Sequence, residues 1–239
     1  MGVEHGKEAL ADTLTETQVV TDAARDAIAR TRAVRDELLV LASHDIKNAV
    51  GILDSALGMT AEMPEQAASM QGMMRRATHR LGILVQALVD VDLLQRDAMP
   101  LRLADTGWNA IATTVVEGAL GIAATKDVTL APAGDLAARL ACDAVMVQRM
   151  VGALLEYAIA NAPAKSAVDV EGVRLEGGRF RIRIVHRGRP IGSVTLDKLF
   201  TTLPLRFCRL AAIRHGALLR AVSPALDDGS GLAFELELP

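Results

Sequence analysis

Aromatic residues make up only 3% of this 239-residue chain: four Phe, one Trp and one Tyr. Ala, Leu, Val and Met must therefore fill whatever interior it builds, and a hydrophobic fraction of 51% is ample for one. Cysteine is almost absent. Cys142 and Cys208 stand alone, without a CxxC pair or metal-ligand spacing, which excludes a disulfide scaffold and reads as two reduced core thiols in a cytoplasmic protein. No run of one charge sign is present, and the formal net charge is -3, so nothing supports nucleic-acid binding. The longest apolar stretches are broken by charge and fall short of a membrane span. The opening Met1-Gly2-Val3-Glu4-His5-Gly6-Lys7-Glu8 is polar and mixed in charge, unlike a signal peptide. No Ser/His/Asp or Cys/His constellation can be placed, and no metal site is expected.

Helix breakers are also nearly missing from Glu16 to Met59. At about 100° per residue, Val34, Leu38, Leu41, Ala42, Ile46, Ala49, Val50, Ile52, Leu53, Ala56 and Leu57 share one broad arc, wide enough to face the inside of a bundle. Met63-Pro64-Glu65 marks a turn, with Pro64 suited to a first helical position. A second helix follows from Glu65 to Gln95, its apolar residues (Met70, Met73, Met74, Ala77, Leu81, Leu84, Val85, Leu88, Val91, Leu94) mostly three and four apart. Two such helices joined by a short loop form an antiparallel hairpin. It buries both apolar faces most simply by pairing with a second copy into a dimeric four-helix bundle.

The first helix carries His44-Asp45-Ile46-Lys47-Asn48. Positions i and i+4 are helical neighbours, so Asn48 sits beside His44, and Asp45 is placed to orient the ring or take its proton. His44 falls away from the apolar arc and should be exposed, among Glu37, Val40, Asn48, Gly51 and Ser55. An exposed imidazole beside an acid is a candidate phosphoryl-accepting nucleophile; the alternative is a solvated surface histidine. Gly51 costs about 1 kcal/mol relative to Ala in a helix, and close approach by a partner or a packing accident would each account for it. His79, on the second helix, reads as a surface or interface histidine.

This pentapeptide and its setting resemble the phosphoacceptor box of two-component histidine kinases, whose first hairpin helix bears the phosphorylated histidine. The resemblance implies His44 as phosphoacceptor, Asp45 as an assistant in phosphoryl transfer, and Asn48 as the residue that positions water or a partner. The family has proline after the Asn or Thr; Ala49 stands here and keeps the helix straight.

Beyond Met99-Pro100 the character alternates. Leu101–Leu103, Val128–Leu130, Ala138–Cys142, Ala167–Arg174, Arg179–His186, Ala217–Val222 and Leu232–Leu238 read as strands. Thr106–Ala124, capped by Thr106, Asp143–Ala162, capped by Asp143, and Pro204–His215 read as helices. Glu176-Gly177-Gly178 reads as a hairpin turn. His186 and His215 read as ordinary strand-end and helix-end residues, His215 as a cation at a helix C-terminus. The expected fold class is α+β: residues 1–15 an N-terminus expected to be disordered, 16–98 the hairpin, 101–239 an α/β sandwich. This sandwich resembles the ATP-binding lobe of histidine kinases, shared with gyrase-type and Hsp90-type ATPases, down to a closing Ile213-Arg214-His215-Gly216 and Gly229-Ser230-Gly231.

The nucleotide site departs from that family. Where the helix opened by Asp143 would carry two asparagines, the second a magnesium ligand, stand Ala153 and Tyr157. Neither side chain suits a hard cation, and Asn161 lies one turn too far along. Where the family has Asp-x-Gly-x-Gly, whose acid receives the adenine amino group, this chain has His186-Arg187-Gly188-Arg189-Pro190. The glycine-rich lid is replaced by Thr201-Thr202-Leu203-Pro204-Leu205-Arg206. The resemblance is therefore to dimeric histidine phosphotransferases that lack nucleotide binding. It implies a cytoplasmic homodimer relaying phosphate between response-regulator receiver domains through His44, with no cofactor of its own and with the magnesium supplied by the receiver. Lys47 and Asn48 would flank the phosphoryl group, and Val40, Gly51 and Ser55 would join Lys47 in docking the receiver. The competing readings are a divergent active kinase and a pseudo-kinase scaffold regulating a partner kinase.

Overall fold

The structure is a computed structural model and describes residues 29, 36, 39–40, 42–60, 63–192 and 198–239. The N-terminus over 1–15, the arc residues Val34, Leu38 and Leu41, and Glu37 lie outside the described residues. Residues 42–60 are helical throughout (α1). Ala42, Ala49 and Ala56 recur every seven residues and are 0–2% exposed, with Ile46 and Leu53 half-buried between them. Small side chains at that spacing allow the closest approach of a neighbouring helix. The turn is a short 3₁₀ segment, Pro64–Gln66, followed by α2, Ala67–Gln95, so the expected helix at Glu65 begins regular α geometry two residues later. α2 buries Met70, Ala77, Leu84, Ala87, Asp90 and Val91.

The buried face of α1 is narrower than its apolar arc. Val50, Ile52 and Leu57 belong to that arc yet are 49%, 43% and 58% exposed, and Val85 and Val89 of α2 are 52% and 48% exposed. One neighbouring helix covers one stripe, and the rest of a wide apolar arc stays open.

The remaining residues form an α/β sandwich. Its order is β1 (Ala104–Gly107), α3 (Trp108–Ala124), β2 (Thr129–Gly134), β3 (Arg139–Cys142), α4 (Ala144–Asn161), β4 (Ala167–Arg174), β5 (Phe180–His186), α5 (Leu203–Arg214), β6 (Leu218–Val222) and β7 (Leu232–Leu238). Five strands make one sheet in the order β2-β4-β5-β7-β6, with β2 parallel to β4 and the other neighbours antiparallel; β1 and β3 form a separate antiparallel pair. The three lobe helices form the second layer, α4 lying between α3 and α5 and over β4 and β5. Asp143 caps α4 as expected, accepting from the Met146 N–H at 3.1 Å. Gly177 and Gly178 turn β4 into β5 with φ of 77° and 84°, a conformation open to glycine.

Two expectations fail near the lobe's start. The strand placed at Leu101–Leu103 lies at Ala104–Gly107 instead, and Thr106 belongs to it rather than capping α3, whose N-cap is Gly107. Pairing with β3, Thr106 opposite Leu140, overrides the capping preference of a threonine. Where the chain is most crowded, aromatics supply the bulk: Trp108 and Phe180 meet at 5.7 Å between ring centroids. A Cβ on Gly172 of β4 would fall 2.4 Å from the Trp108 indole nitrogen, so the close seat of that ring requires glycine. Cys142 and Cys208 are free and buried. Burial pushes the Cys142 thiol up to about 11 and the Cys208 thiol upward as well.

The hairpin and the lobe meet at a polar seam. Asp90 of α2, 2% exposed, pairs with Arg149 of α4 and accepts from Gln86 Nε2 at 3.1 Å. The Arg149 guanidinium lies 4.7 Å above the Phe207 ring of α5. His79 Nε2 stands 3.6 Å from Glu156 Oε1, which makes His79 an interface residue. A cavity of about 420 Å³ opens beside these groups, lined by His79, Ile83, Gln86, Arg149, Glu156 and Phe207 among others. Arg214 of α5 adds a tie to the connector, donating to the Met99 carbonyl at 3.2 Å and pairing with Asp97.

Candidate functional site

On α1 the periodicity places His44, Lys47, Asn48, Gly51 and Ser55 on the exposed surface, together with Val40, which is 70% exposed. The His44 side chain is 74% exposed and that of Asp45 24% exposed. His44 Nδ1 lies 3.4 Å from Asp45 Oδ1 and 3.4 Å from Asn48 Nδ2. Those two contacts are alternatives: Nδ1 donates to Asp45 when it carries the proton, and accepts from Asn48 when it does not. In the first tautomer Nε2 keeps its lone pair and faces solvent as a nucleophile. The Asp45 carboxylate then also favours the positive charge that builds on the ring as Nε2 attacks. Nothing lies within 4 Å of a Cβ built on Gly51, so no contact within the chain demands glycine there.

In the lobe, the residues at the expected nucleotide positions divide between two places, Ala153 at the hairpin seam and His186 with Pro190 at a second pocket. Ala153 lines the cavity at the hairpin seam. The Tyr157 ring packs edge-on against Phe234 of β7, with centroids 5.4 Å apart, and Phe200 also meets the Phe234 ring edge-on, at 6.3 Å. Burial raises the Tyr157 hydroxyl above its ordinary value, which holds it protonated. Asn161 turns back on its own helix, Nδ2 donating to the Tyr157 carbonyl at 2.9 Å. The side chains at these positions offer no cage of oxygens to a divalent cation, and among the described residues no three His, Cys, Asp or Glu are grouped as metal ligands.

His186 and His215 are both more than ordinary terminal residues. His215, 8% exposed, donates from Nδ1 to the Ala211 carbonyl at 3.0 Å and accepts the Asp143 N–H on Nε2 at 3.3 Å. Accepting on one nitrogen requires the neutral ring, so the helix-end cation expected there is replaced by a neutral bridge between α5 and the cap of α4. His186, 2% exposed, ends β5, and among the described residues neither ring nitrogen meets a hydrogen-bond partner. Burial lowers its pKa below the usual histidine range, with Lys126 adding to the effect and the Arg187 backbone opposing it. Sequence reasoning missed Lys126 altogether. Its ammonium caps the C-terminus of α4, donating to the carbonyls of Ile159, Ala160 and Ala162 at 3.2, 2.6 and 2.9 Å. Gly188 lies under the His186 ring, where a Cβ would come within 3.1 Å of it, and Pro190 borders the pocket beside it.

A hairpin helix with an exposed His-Asp-x-x-Asn face precedes a sandwich ordered β2-β4-β5-β7-β6. The fold superposes with a TM-score of 0.63 on the histidine kinase AdeS of Acinetobacter baumannii, at 16% identity over 82% of this chain and 96% of that one. The chain has the histidine kinase core fold. Histidine kinase ThkA, solved in complex with the response regulator TrrA, gives a TM-score of 0.64 at 17% identity, over 88% of this chain and 64% of that one. In sequence, the chain is 23% identical over 230 residues to the sensor-like histidine kinase SenX3 of Mycolicibacterium smegmatis, covering 88% of this chain and 59% of that protein's length. No protein-family model matches. Among the described residues, no helix is long and apolar enough to cross a membrane.

Proposed function

We propose that this chain is a cytoplasmic histidine phosphotransferase of a two-component phosphorelay. His44 takes a phosphoryl group from the aspartyl phosphate of one response-regulator receiver and hands it to another. The observation that carries this reading is the contrast on one molecule: a fully presented His44 face on α1, and a nucleotide region whose cation-ligand position is a tyrosine packed on Phe234. In the transfer, Nε2 forms the N–P bond as the acyl phosphate's P–O bond breaks and the receiver carboxylate leaves with the electron pair. Asp45 holds the proton at Nδ1. Lys47 and Asn48 would flank the phosphoryl group, Asn48 from its place 3.4 Å from Nδ1, and magnesium would come with the receiver. Val40, Gly51 and Ser55 extend the same exposed face into a docking surface, and a bare Gly51 leaves room for a partner's backbone.

The apolar residues left open on the hairpin, Val50, Leu57, Val85 and Val89, support a second copy as the cover that completes a four-helix bundle. The deciding experiment incubates the protein with phosphorylated receiver domains from the same genome and scores acid-labile phosphate on His44. ATP with magnesium, supplied alone, is the control and should leave His44 unlabelled. One observation favours a second reading, a divergent autokinase: the similar proteins named above are kinases. Labelling from ATP alone at a rate matching receiver transfer would establish it in place of the relay.

A further inference from the structure

We infer that the seam between hairpin and lobe is a proton-operated catch. His79 of α2 and Glu156 of α4 hold the lobe against the hairpin while the pair keeps one proton, and the lobe loosens when that proton leaves. His79 Nε2 faces Glu156 Oε1 across the seam at 3.6 Å. One residue belongs to the hairpin and the other to the lobe, so the pair exists only while α4 lies on α2. Beside it stands a second pair across the same seam, Asp90 with Arg149, in which Asp90 is 2% exposed. The cavity of about 420 Å³ next to both pairs leaves apolar packing incomplete along this stretch. Charge therefore carries more of the docking here than in the interior of either part.

The arrangement of charges gives the catch its sign. Arg149 is engaged by Asp90 and by the Phe207 ring, which leaves His79 to answer Glu156. The described charges that act on Glu156 are His79 and Arg80, both of α2. On α5, Arg206 between Pro204 and Phe207 has an interaction of its own. A guanidinium keeps its charge in proteins, whereas an imidazole is the group that gives up a proton near neutrality. Burial raises the Glu156 carboxyl above the usual range, with His79 opposing. A docked lobe then binds more protons than a released one, and docking weakens as pH rises. The release reaches the His44 face. Ala42 and Ile46, on either side of His44, pack in one core with Leu84, Ala87 and Val91 of α2, and Ala87 lines the seam cavity.

The catch stands on the seam alone and is independent of the relay reading. Ala87, 4% exposed, is uncovered when the lobe lifts from α2. The full chain carrying Ala87→Cys is treated with a bulky polyethylene-glycol maleimide from pH 6 to pH 8.5, and the treatment is repeated with Glu156→Gln added. Both proteins share the new thiol's own pH dependence, so the ratio of their rates at each pH reports the opening of the seam. Glutamine keeps the size of the protonated carboxyl and cannot ionise. The ratio of parent to Glu156→Gln should therefore rise by about threefold or more across the range. Cys142 and Cys208, both buried in the lobe, supply the floor set by global unfolding when Ala87 is left in place. His79→Gln should open the seam at pH 7 as far as the parent opens it at pH 8.5. His79→Gln combined with Glu156→Gln should return the slow rate. A ratio that stays constant with pH, a His79→Gln protein with the parent's profile, or a thiol at position 87 that reacts no faster than the floor would each overturn the proposal.

Discussion

The outer face of α1 and the nucleotide region of the lobe differ in how their chemistry is assembled. On α1 the described groups that touch the His44 ring lie within four residues of it, Asp45 next in sequence and Asn48 one turn on. Helical geometry alone brings them together. A nucleotide and cation site has to gather ligands from a helix, a strand end and a loop, and a single replacement in that gathering removes a ligand outright. Tyr157 sits at such a point. Its ring packs in the aromatic cluster with Phe234 and Phe200, which ties α4 to the sheet. On the proposed reading local chemistry persists where dispersed chemistry is lost, and each experiment below strains one side of that contrast.

The largest effect belongs to the local side. His44→Ala should abolish acid-labile phosphorylation by receivers, a loss of at least about a hundredfold, while its exposed side chain leaves thermal stability unchanged within about 0.5 kcal/mol. Residual phosphate on another residue, or a melting shift of several degrees, would mean that this face is not the self-contained unit described. Asp45→Asn removes the carboxylate that fixes the tautomer and should slow transfer by about tenfold or more, read from the rate of receiver dephosphorylation.

The dispersed side answers through stability. Replacing Arg149 by Met leaves Asp90 buried without its cation and should cost about 3 kcal/mol in urea denaturation. The double variant Asp90→Leu with Arg149→Met should recover most of that, because removing both charges removes the uncompensated one. Lys126→Met deletes one cation that satisfies three α4 carbonyls and should cost about 2 kcal/mol. A smaller loss would mean that water takes over those carbonyls as the ammonium leaves.

The hairpin, the α+β class and most lobe elements were legible because each rests on periodicity or on a turn residue. The bounds of Ala167–Arg174 and Leu232–Leu238 follow from alternation closed by turn-forming segments. β1 was misplaced because Ala104-Asp105-Thr106-Gly107 has no β propensity of its own and is a strand only by pairing with Arg139–Cys142. The Asp90–Arg149 pair left a readable sign, an acid on the buried stripe with Leu84, Ala87 and Val91, but its partner lies on a helix far along the chain, beyond any spacing rule. His186 and His215 look alike in sequence. Only their surroundings separate a bonded neutral bridge from a ring with no partners.

The smallest effect tests that last distinction through pH. Burial holds the folded-state pKa of His186 below its unfolded value. The folded protein then binds fewer protons than the unfolded chain, and stability falls as pH drops through the range below the ordinary histidine value of about 6.5. Glu156 works in the opposite sense. Burial raises its carboxyl above the usual range, with His79 as the opposing influence, so its contribution is greatest at low pH and is lost as pH rises through the raised value. The two overlap in moderately acidic solution, which makes the raw stability curve uninformative about either. Subtracting the curve of His186→Gln isolates the histidine: the difference should be constant near neutrality and change below it, the parent losing more stability than the variant on acidification. A difference that stays flat from pH 7 to 5 would mean that the ring protonates in place, already served by a partner, and that the lobe pocket is as self-sufficient as the face on α1.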